Sequence, residues 1–164
     1  VEAMTMGHRV AVLDHGVLQQ VDKPSVLYSH PRNRFVAGFI GSPAMNLVEV
    51  DLAGAEGLQL GGLSVPVSDV VAQALSDSAP SSCSLGVRPE HLELGADGLP
   101  GEVTVVEELG SESFVHVTTE HQGEPLTLVV RDEGQTSTER GDNVRVGYRG
   151  PVHVFGPDGD RIGD

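Results

Sequence analysis

The most specific group of reactive side chains in this sequence is the run Arg88-Pro89-Glu90-His91. An imidazole beside a carboxylate could supply nitrogen and oxygen ligands to a metal ion. No second His or Cys stands at ligand spacing from His91, so solvated charges at the end of a strand explain the pair better than a metal site does. Pro89 fixes its own φ and biases Arg88 towards extended backbone. In so acidic a region Arg88 is expected to pair with a carboxylate, and a local pair that stabilises a turn is one interpretation.

Two further groups of acidic residues could be taken for chemical sites. One group could supply paired carboxylates for acid–base catalysis; it consists of Glu107, Glu108 and Glu112. Such work requires surroundings that push two pKa values apart, and a solvated face of a strongly acidic region explains these residues better. The run Asp158-Gly159-Asp160 has the composition of a calcium loop, yet an EF-hand puts its glycine at the sixth position rather than the second. A hairpin turn is the predicted role of this run.

The sequence contains no motif of a phosphate-binding loop. A phosphate-binding loop needs backbone N–H groups, a lysine and a hydroxyl that converge on the phosphates. The sequence holds one lysine, Lys23, which precedes Pro24 and follows no glycine-rich run. The single cysteine, Cys83, excludes an internal disulfide and a cysteine-cluster metal site. We therefore expect no catalytic residues, no cofactor and no metal within this chain.

The net charge divides the chain into two parts. Lys and Arg number 10 against 24 Asp and Glu, which gives a formal net charge of −14. Such a charge repels a phosphate backbone and argues against nucleic acid as a partner. Residues 1–40 carry a net charge of +1 and residues 41–164 a net charge of −15, and the change falls at the turn-forming run Gly41-Ser42-Pro43. We therefore predict two domains, residues 1–41 and residues 42–164.

The elements predicted for residues 1–41 are mixed. Apolar runs at 9–13 and 17–21 flank a turn and predict a β-hairpin. Asp22 and Asn33 are the expected N-caps of two short helices. Six apolar residues of this segment are expected to pack on the β-domain, to pack on a second chain or to be loosely held, because exposed apolar surface is costly. They are Val10, Val12, Leu13, Phe35, Phe39 and Ile40.

Residues 42–164 are dominated by β-strand signals. In the whole chain Val and Ile outnumber Leu by 27 to 16, and β-branched residues favour strands. Short apolar or alternating runs separated by Gly, Asp and Asn turns predict a small barrel or sandwich. The strands are predicted at 46–52, 83–87, 101–109, 113–119, 125–131, 143–148 and 151–155. A hairpin is predicted over 57–67 with its turn at Gly61-Gly62, and a helix over 68–75.

Long motifs in both parts resemble a single family. The chain begins VEAMTMG, carries FVAGFIGSPAMN at 35–46, and continues with LGVRPEHL at 85–92 and GEVTVVEELG at 101–110. These runs resemble the ATP-binding subunits of bacterial carbohydrate ABC importers of the maltose and glycerol-phosphate type. The run at 85–92 is similar to the Gly-x-Arg-Pro-Glu motif of their regulatory domain. Asp22 and Val26 depart from the Gly and Glu usual in the family, at a turn and a surface position.

The resemblance implies a mainly β fold. An OB-like small β-barrel of the TOBE/MOP type would span residues 42–164, preceded by a short α/β tail of an ABC nucleotide-binding domain at residues 1–41. The phosphate loop, the signature motif and the magnesium ligands would lie upstream of Val1, in a longer parent chain that binds ATP and Mg²⁺. That parent would couple ATP hydrolysis to uptake of a sugar or sugar derivative at the cytoplasmic face of the plasma membrane, together with transmembrane permease subunits.

The resemblance also implies that the chain pairs with a second copy of itself through the regulatory domain. The upstream nucleotide-binding domain and a regulatory protein would be further partners. Two acidic copies repel each other at long range, so their contact patch must be apolar or matched in charge. For Arg88 to Glu90 this contact and the local turn-stabilising pair are equal alternatives. The predicted contact residues are Arg88, Pro89, Glu90, Tyr148, Arg149 and Phe155.

A second function class is a β-barrel that binds a small ligand or an oxyanion, as the related barrels of oxyanion importers imply. The net charge of −15 on residues 41–164 speaks against anions, because its field repels them. The two classes differ in a simple observable. A ligand-binding barrel gains thermal stability from its ligand by mass action, whereas a pure assembly module does not.

The missing phosphate loop predicts that the purified chain hydrolyses no ATP above the buffer rate. A phosphate-release assay with Mg²⁺ and ATP measures this, and the variant Lys23→Ala should behave identically to the unmodified chain. Turnover that persists through further purification and is lost in Lys23→Ala would reveal a nucleotide site that the sequence does not show.

Overall fold

The β-strands of the chain form separate sheets that belong to two compact units. The computed structural model describes residues 1–52 and 58–163. Within these ranges the first unit comprises residues 1–52, 67–86 and 153–163, and the second comprises residues 58–66 and 87–152. The first unit is therefore assembled from segments that lie far apart in the sequence.

Short helices and β-strands alternate in the first half of the chain, and strands dominate the second half. In chain order the elements are α1 (Glu2–Met6), β1 (Val10–Asp14), β2 (Val17–Asp22), α2 (Pro24–Ser29), α3 (Arg34–Phe39), β3 (Asn46–Asp51), β4 (Gln59–Leu60), β5 (Leu63–Ser64), α4 (Asp69–Ser78), β6 (Ser82–Val87), a 3-10 helix (Pro89–His91), β7 (Leu92–Gly95), β8 (Leu99–Glu108), β9 (Glu112–His121), β10 (Glu124–Glu133), β11 (Asn143–Tyr148), β12 (Val152–Phe155) and β13 (Arg161–Ile162). Within residues 1–52 and 58–163, no helix has the length and apolar character needed to cross a membrane.

Helix α3 begins where one side chain satisfies a backbone donor of the first turn. The Val36 N–H donates to Oδ1 of Asn33 at 3.0 Å, which confirms the predicted cap. The amide of Asn33 also donates to Oε1 of Gln19 at 2.7 Å, which joins the helix start to β2. Helix α2 differs from the prediction: its N-cap is Lys23, with no side-chain cap. The carboxylate of Asp22 instead accepts from the N–H of Lys23 at 2.8 Å.

The C-terminal hairpin, which is β12 and β13 with the turn between them, pairs with the backbone just before α3. The Arg161 N–H donates to the carbonyl of Arg32 at 2.9 Å, and the Arg34 N–H donates to the carbonyl of Gly159 at 2.8 Å. The residues between these two pairs form an isolated β-bridge. β12 and β13 are antiparallel, which confirms the hairpin turn predicted for the acidic run between them.

Two buried clusters hold the first unit together. One consists of Val12, Leu27, Val36 and Ile40. The other consists of Ala37, Met45 and Phe155, and Leu47 packs against it. Segments on both sides of Gly41 therefore share a core with a residue near the C terminus. For this reason the compact units differ from the domains predicted at residues 1–41 and 42–164.

The six apolar residues of this segment that were expected to need cover differ in their exposure to solvent. Val12 and Ile40 are buried, and Val10 and Phe35 are half-buried against the first cluster. Leu13 and Phe39 remain 53% and 65% exposed. The Phe39 ring stacks on Phe35 with a centroid distance of 5.6 Å. The remaining apolar surface of this segment thus faces solvent in the chain as described.

The second unit is built on one antiparallel sheet of five strands, in the order β10-β9-β8-β11-β7. The edge strand β10 also packs against β7 and the 3-10 helix, so the two ends of the sheet approach each other as in a small barrel. Its strands send alternate residues inwards. The buried set includes Val103, Val115, Val117, Leu128 and Val130. The predicted mainly β, OB-like fold is confirmed.

The differences from the predicted elements concern short segments. β7, β13 and the 3-10 helix were not predicted, and α4 spans Asp69–Ser78 rather than 68–75. The hairpin turn at Gly61-Gly62 is present between β4 and β5, and both glycines have positive φ, 54° and 90°. Glycine adopts this backbone region at no steric cost. The predicted start of that hairpin at Gly57 lies outside the described residues.

Replacing Asn33 with Ala removes both the helix cap and the hydrogen bond to Gln19. We expect the free energy of unfolding, measured by urea denaturation, to fall by about 1–2 kcal/mol. Asn33→Asp keeps a capping oxygen and loses only the amide donor, so its loss should be smaller. Equal losses in the two variants, or an unchanged midpoint in Asn33→Ala, would contradict this role of Asn33.

Candidate functional site

Three of the six predicted contact residues are enclosed within the chain itself. Arg88 is 1% exposed and Phe155 is 0% exposed, and Pro89 is buried as well. Phe155 belongs to the cluster with Ala37 and Met45 in the first unit. These three side chains are therefore not exposed on the chain as described, which sets them apart from Glu90, Tyr148 and Arg149. The contact predicted at the six residues stays a prediction.

The structure brings Glu90 and Arg149 together, at the 3-10 helix. The Arg149 N–H donates to the carbonyl of His91 at 2.8 Å, and its Nε donates to the carbonyl of Glu90 at 3.3 Å. Gly150 lies so close to the ring of His91 that a Cβ at this position would clash with the imidazole. Tyr148 is paired with Leu92 in the ladder of β11 and β7. Arg149 thus fixes the turn after Arg88 through backbone carbonyls.

A surface that the sequence analysis missed is the outer face of β8, β9 and β10. The register aligns outward residues of the three strands in cross-strand rows. One row is Val105, His116 and Val129; the next is Glu107, Phe114 and Arg131; a third is Glu102, Thr118 and Thr127. Val105 is 45% exposed. Together these nine residues form what we call the outer face.

Charged side chains on the outer face have defined neighbours. Nε2 of His116 lies 3.5 Å from Oε1 of Glu107. Nε of Arg131 lies 2.7 Å from Oε2 of Glu112. The prediction that Glu107 and Glu112 are solvated is consistent with side chains that are 52% and 31% exposed. The arrangement places an acidic side chain on the β8 side of Phe114 and a basic one on the β10 side.

The thiol of Cys83, in the first unit, has a raised pKa. Burial raises the pKa of the Cys83 thiol to about 11, and the nearby carboxylate of Glu49 adds to the effect. That carboxylate accepts a hydrogen bond from Ser84 Oγ at 2.5 Å, and it forms an ion pair with Arg34. A thiol with so high a pKa is a poor nucleophile, because the thiolate is the reactive form. Cys83 is therefore a packing residue.

Two observations on the described residues concern metal ligands and the one lysine of the sequence. There, no three His, Cys, Asp or Glu side chains lie close enough together to hold a metal ion. Lys23 stands at the N-cap of α2, where its N–H donates to the carboxylate of Asp22. A helix start already occupied by a carboxylate, without a glycine-rich loop, does not fit a phosphate.

Two family models match the chain, side by side. A MalK OB fold domain matches residues 41–92, and a TOBE domain matches residues 85–155. The two matches together cover β3 to β12, which includes the outer face and the 3-10 helix. They overlap on the segment that carries Arg88 and Glu90.

Curated proteins match over nearly the whole chain. It is 45% identical to the diacetylchitobiose uptake system ATP-binding protein MsiK of Streptomyces coelicolor, over 100% of this chain and 48% of that protein. It is 37% identical to the sn-glycerol-3-phosphate import ATP-binding protein UgpC of Bordetella avium, over 98% and 45% respectively. It is 38% identical to the maltose/maltodextrin import ATP-binding protein MalK of Vibrio cholerae, over 97% and 44%.

The chain thus spans about half the length of the curated relatives that it matches. These three relatives are each named as the ATP-binding protein of an uptake or import system, and the family models match the strand-rich part of the chain. The motifs at 35–46, 85–92 and 101–110 fall within these matches. The chain is therefore similar over nearly its whole length to about half of these ATP-binding proteins, and it carries a MalK OB fold domain and a TOBE domain.

Proposed function

We propose that this chain is the regulatory and dimerisation region of the ATP-binding subunit of an importer for sugars or sugar derivatives. The observation that carries the proposal is the adjoining match to the OB-fold and TOBE domains over residues 41–155. In the longer protein, ATP and Mg²⁺ would be held outside this chain, whose sequence has no phosphate loop. The assembly would act at the cytoplasmic face of the membrane with permease subunits, and this chain would contribute no catalytic residue.

The dimerisation part of the proposal rests on the outer face. Sheets pack face to face when their outward side chains complement each other. A two-fold axis that runs parallel to β9, between two outer faces, keeps each position along the strand and exchanges the β8 side with the β10 side. A residue on β8 of one copy therefore faces the residue on β10 of the second copy in the same row.

Under this symmetry the charges of the outer face match. Glu107 of one copy faces Arg131 of the second copy, and the same pair forms again on the other side of the axis, as in isologous dimers. In the next row Val105 faces Val129, and these apolar side chains lose solvent contact. Glu107 and Arg131 are 52% and 42% exposed, so both can reach across an interface.

The overall charge sets the conditions for this pairing. Each copy carries −14, which opposes approach at long range. Salt screens charges that are more than about 8–10 Å apart at ordinary ionic strength, while close pairs in a contact are screened less. Dimerisation should therefore be stronger at moderate salt than at very low salt, and it needs no nucleotide.

Charge reversal tests this pairing directly. In Glu107→Arg, each copy places a cation opposite Arg131 of the second copy, so we expect the dimer dissociation constant to rise about tenfold. Arg131→Glu should do the same, and the double variant Glu107→Arg/Arg131→Glu should restore the original value. Sedimentation equilibrium without nucleotide measures the constants.

Matched controls make the result specific. Glu139→Arg and Arg140→Glu change the same charges at exposed positions outside the outer face, and they should alter the constant only slightly. A monomer at tens of micromolar under both low and moderate salt would contradict the proposed dimerisation. A double variant as weak as the single ones would contradict the outer face as its site, and in that case Arg149→Ala tests the contact predicted at Glu90, Tyr148 and Arg149.

A further inference from the structure

The turn between β4 and β5 is bonded to the end of β9 through a histidine side chain. The Gly61 N–H donates to Nδ1 of His121 at 3.0 Å. Gly61 also lies so close to its surroundings that a Cβ there would clash with the Leu99 side chain and press on the carbonyl of Glu120. The glycine therefore lets the backbone of the turn approach the strand closely enough for this hydrogen bond.

Residues 58–66, which we call the β4–β5 hairpin, belong to the second unit and depend on its other strands for stability. β4 and β5 have two residues each, and a two-stranded hairpin of this size is marginal in water. Leu58, Leu60 and Val65 are 3%, 3% and 4% exposed and supply its apolar contacts. The bond from Gly61 adds a directional polar contact to this apolar attachment.

The bond from Gly61 specifies the protonation state of the histidine ring. A backbone N–H donates, so Nδ1 of His121 must offer a lone pair. The ring in this bond is therefore neutral, with its proton on Nε2. In the protonated ring both nitrogens are donors, and an N–H at Nδ1 would face the N–H of Gly61. Protonation thus removes the acceptor and sets two donors against each other.

We propose that His121 makes the attachment of the β4–β5 hairpin depend on pH. The hairpin is held while the imidazole is neutral, and it opens more often when the imidazole is protonated. Histidine is the side chain suited to such a device, because its charge ordinarily changes between about pH 5 and 8. Since the attached state excludes the proton and the open state accepts it, the attached population falls as the pH falls.

One carboxylate leaves the sheet on the same face as the ring, among the described elements packed against it. It is Glu124, which is exposed and is paired with His121 in the ladder of β9 and β10. Its charge stabilises a protonated ring and so favours opening. Glu120 precedes the histidine on β9 and points to the opposite face. Residues 58–66 contain no Asp, Glu, His, Lys or Arg, and neither do residues 99–101 at the start of β8.

This inference goes beyond the proposed function and does not depend on it. The β4–β5 hairpin lies in the region matched by the MalK OB fold domain, and His121 lies in the region matched by the TOBE domain. The bond therefore joins the two matched regions within the second unit. Neither Gly61 nor His121 belongs to the outer face, so attachment of the hairpin and dimerisation can be measured separately.

The test is hydrogen exchange of the ¹⁵N-labelled chain between about pH 5.5 and 8, with the ring shifts of His121 followed in parallel. Protection factors remove the intrinsic pH dependence of exchange. The Val65 N–H, which bonds to the carbonyl of Leu58, reports on the hairpin, and the Val103 N–H, which bonds to the carbonyl of Asp142, reports on the barrel. Protection of Val65 should fall at least about fivefold as the ring is protonated, the effect of one lost hydrogen bond. Protection of Val103 should stay constant.

Variants separate the histidine from other titrating groups. In His121→Asn the side-chain oxygen replaces Nδ1 as acceptor and does not titrate, so Val65 should stay protected at both ends of the pH range. His121→Leu offers no acceptor, and Val65 should be poorly protected throughout. The matched control is His15→Asn, at an exposed histidine of the first unit, which should keep the pH dependence of the unmodified chain. His121→Asn carries the test if His121→Leu loses the fold in thermal unfolding.

Three results would overturn the proposal. One is a neutral ring whose ¹⁵N shifts place the proton on Nδ1, because that nitrogen would then be a donor. Another is protection of Val65 that stays constant over the pH range. The third is a fall in Val65 protection that persists in His121→Asn, which would assign the pH dependence to another group.

Discussion

The pairing of the C-terminal hairpin with the backbone before α3 is the interaction on which the rest of the first unit depends. The two hydrogen bonds from Arg161 to Arg32 and from Arg34 to Gly159 join segments separated by more than one hundred residues. They hold α3 where Ala37 can pack with Met45 and Phe155. Without them, apolar contacts alone would have to compensate for the chain entropy that is lost when so long a loop is closed. The N-terminal segment is thereby part of a folded unit within this chain.

The second unit depends on a different constraint, the alternation of its long strands. Because successive residues point to opposite faces, β8, β9 and β10 bury one set of valines on the inner side, and on the outer face Phe114 is buried while Val105, Glu107 and Arg131 are exposed. A shift of one residue in register would exchange the two sets, so the register is strongly determined by the core. The same ladder that builds the core therefore also sets the rows in which Glu107 and Arg131 stand.

The long alternating strands could be predicted from the sequence because their pattern is local. Asn33 as a helix cap and the two-glycine turn at Gly61-Gly62 were predictable for the same reason. β7 and β13 were not, since each is short and is stabilised by a partner strand rather than by its own pattern. The burial of Arg88 also escaped prediction, because arginine is seldom enclosed. The outer face depends on the register of three strands, which only the tertiary structure provides.

The central structural claim is that the hairpin pairing holds α3 in the first unit, and hydrogen exchange measures it most directly. Arg161→Pro removes the N–H that donates to Arg32, while Arg161→Ala removes the same side chain and keeps the N–H. If the pairing stabilises α3, the amides of Ala37 and Ile40, which bond within the helix, should exchange at least about tenfold faster in Arg161→Pro than in Arg161→Ala. Equal protection of these amides in the two variants would contradict the account.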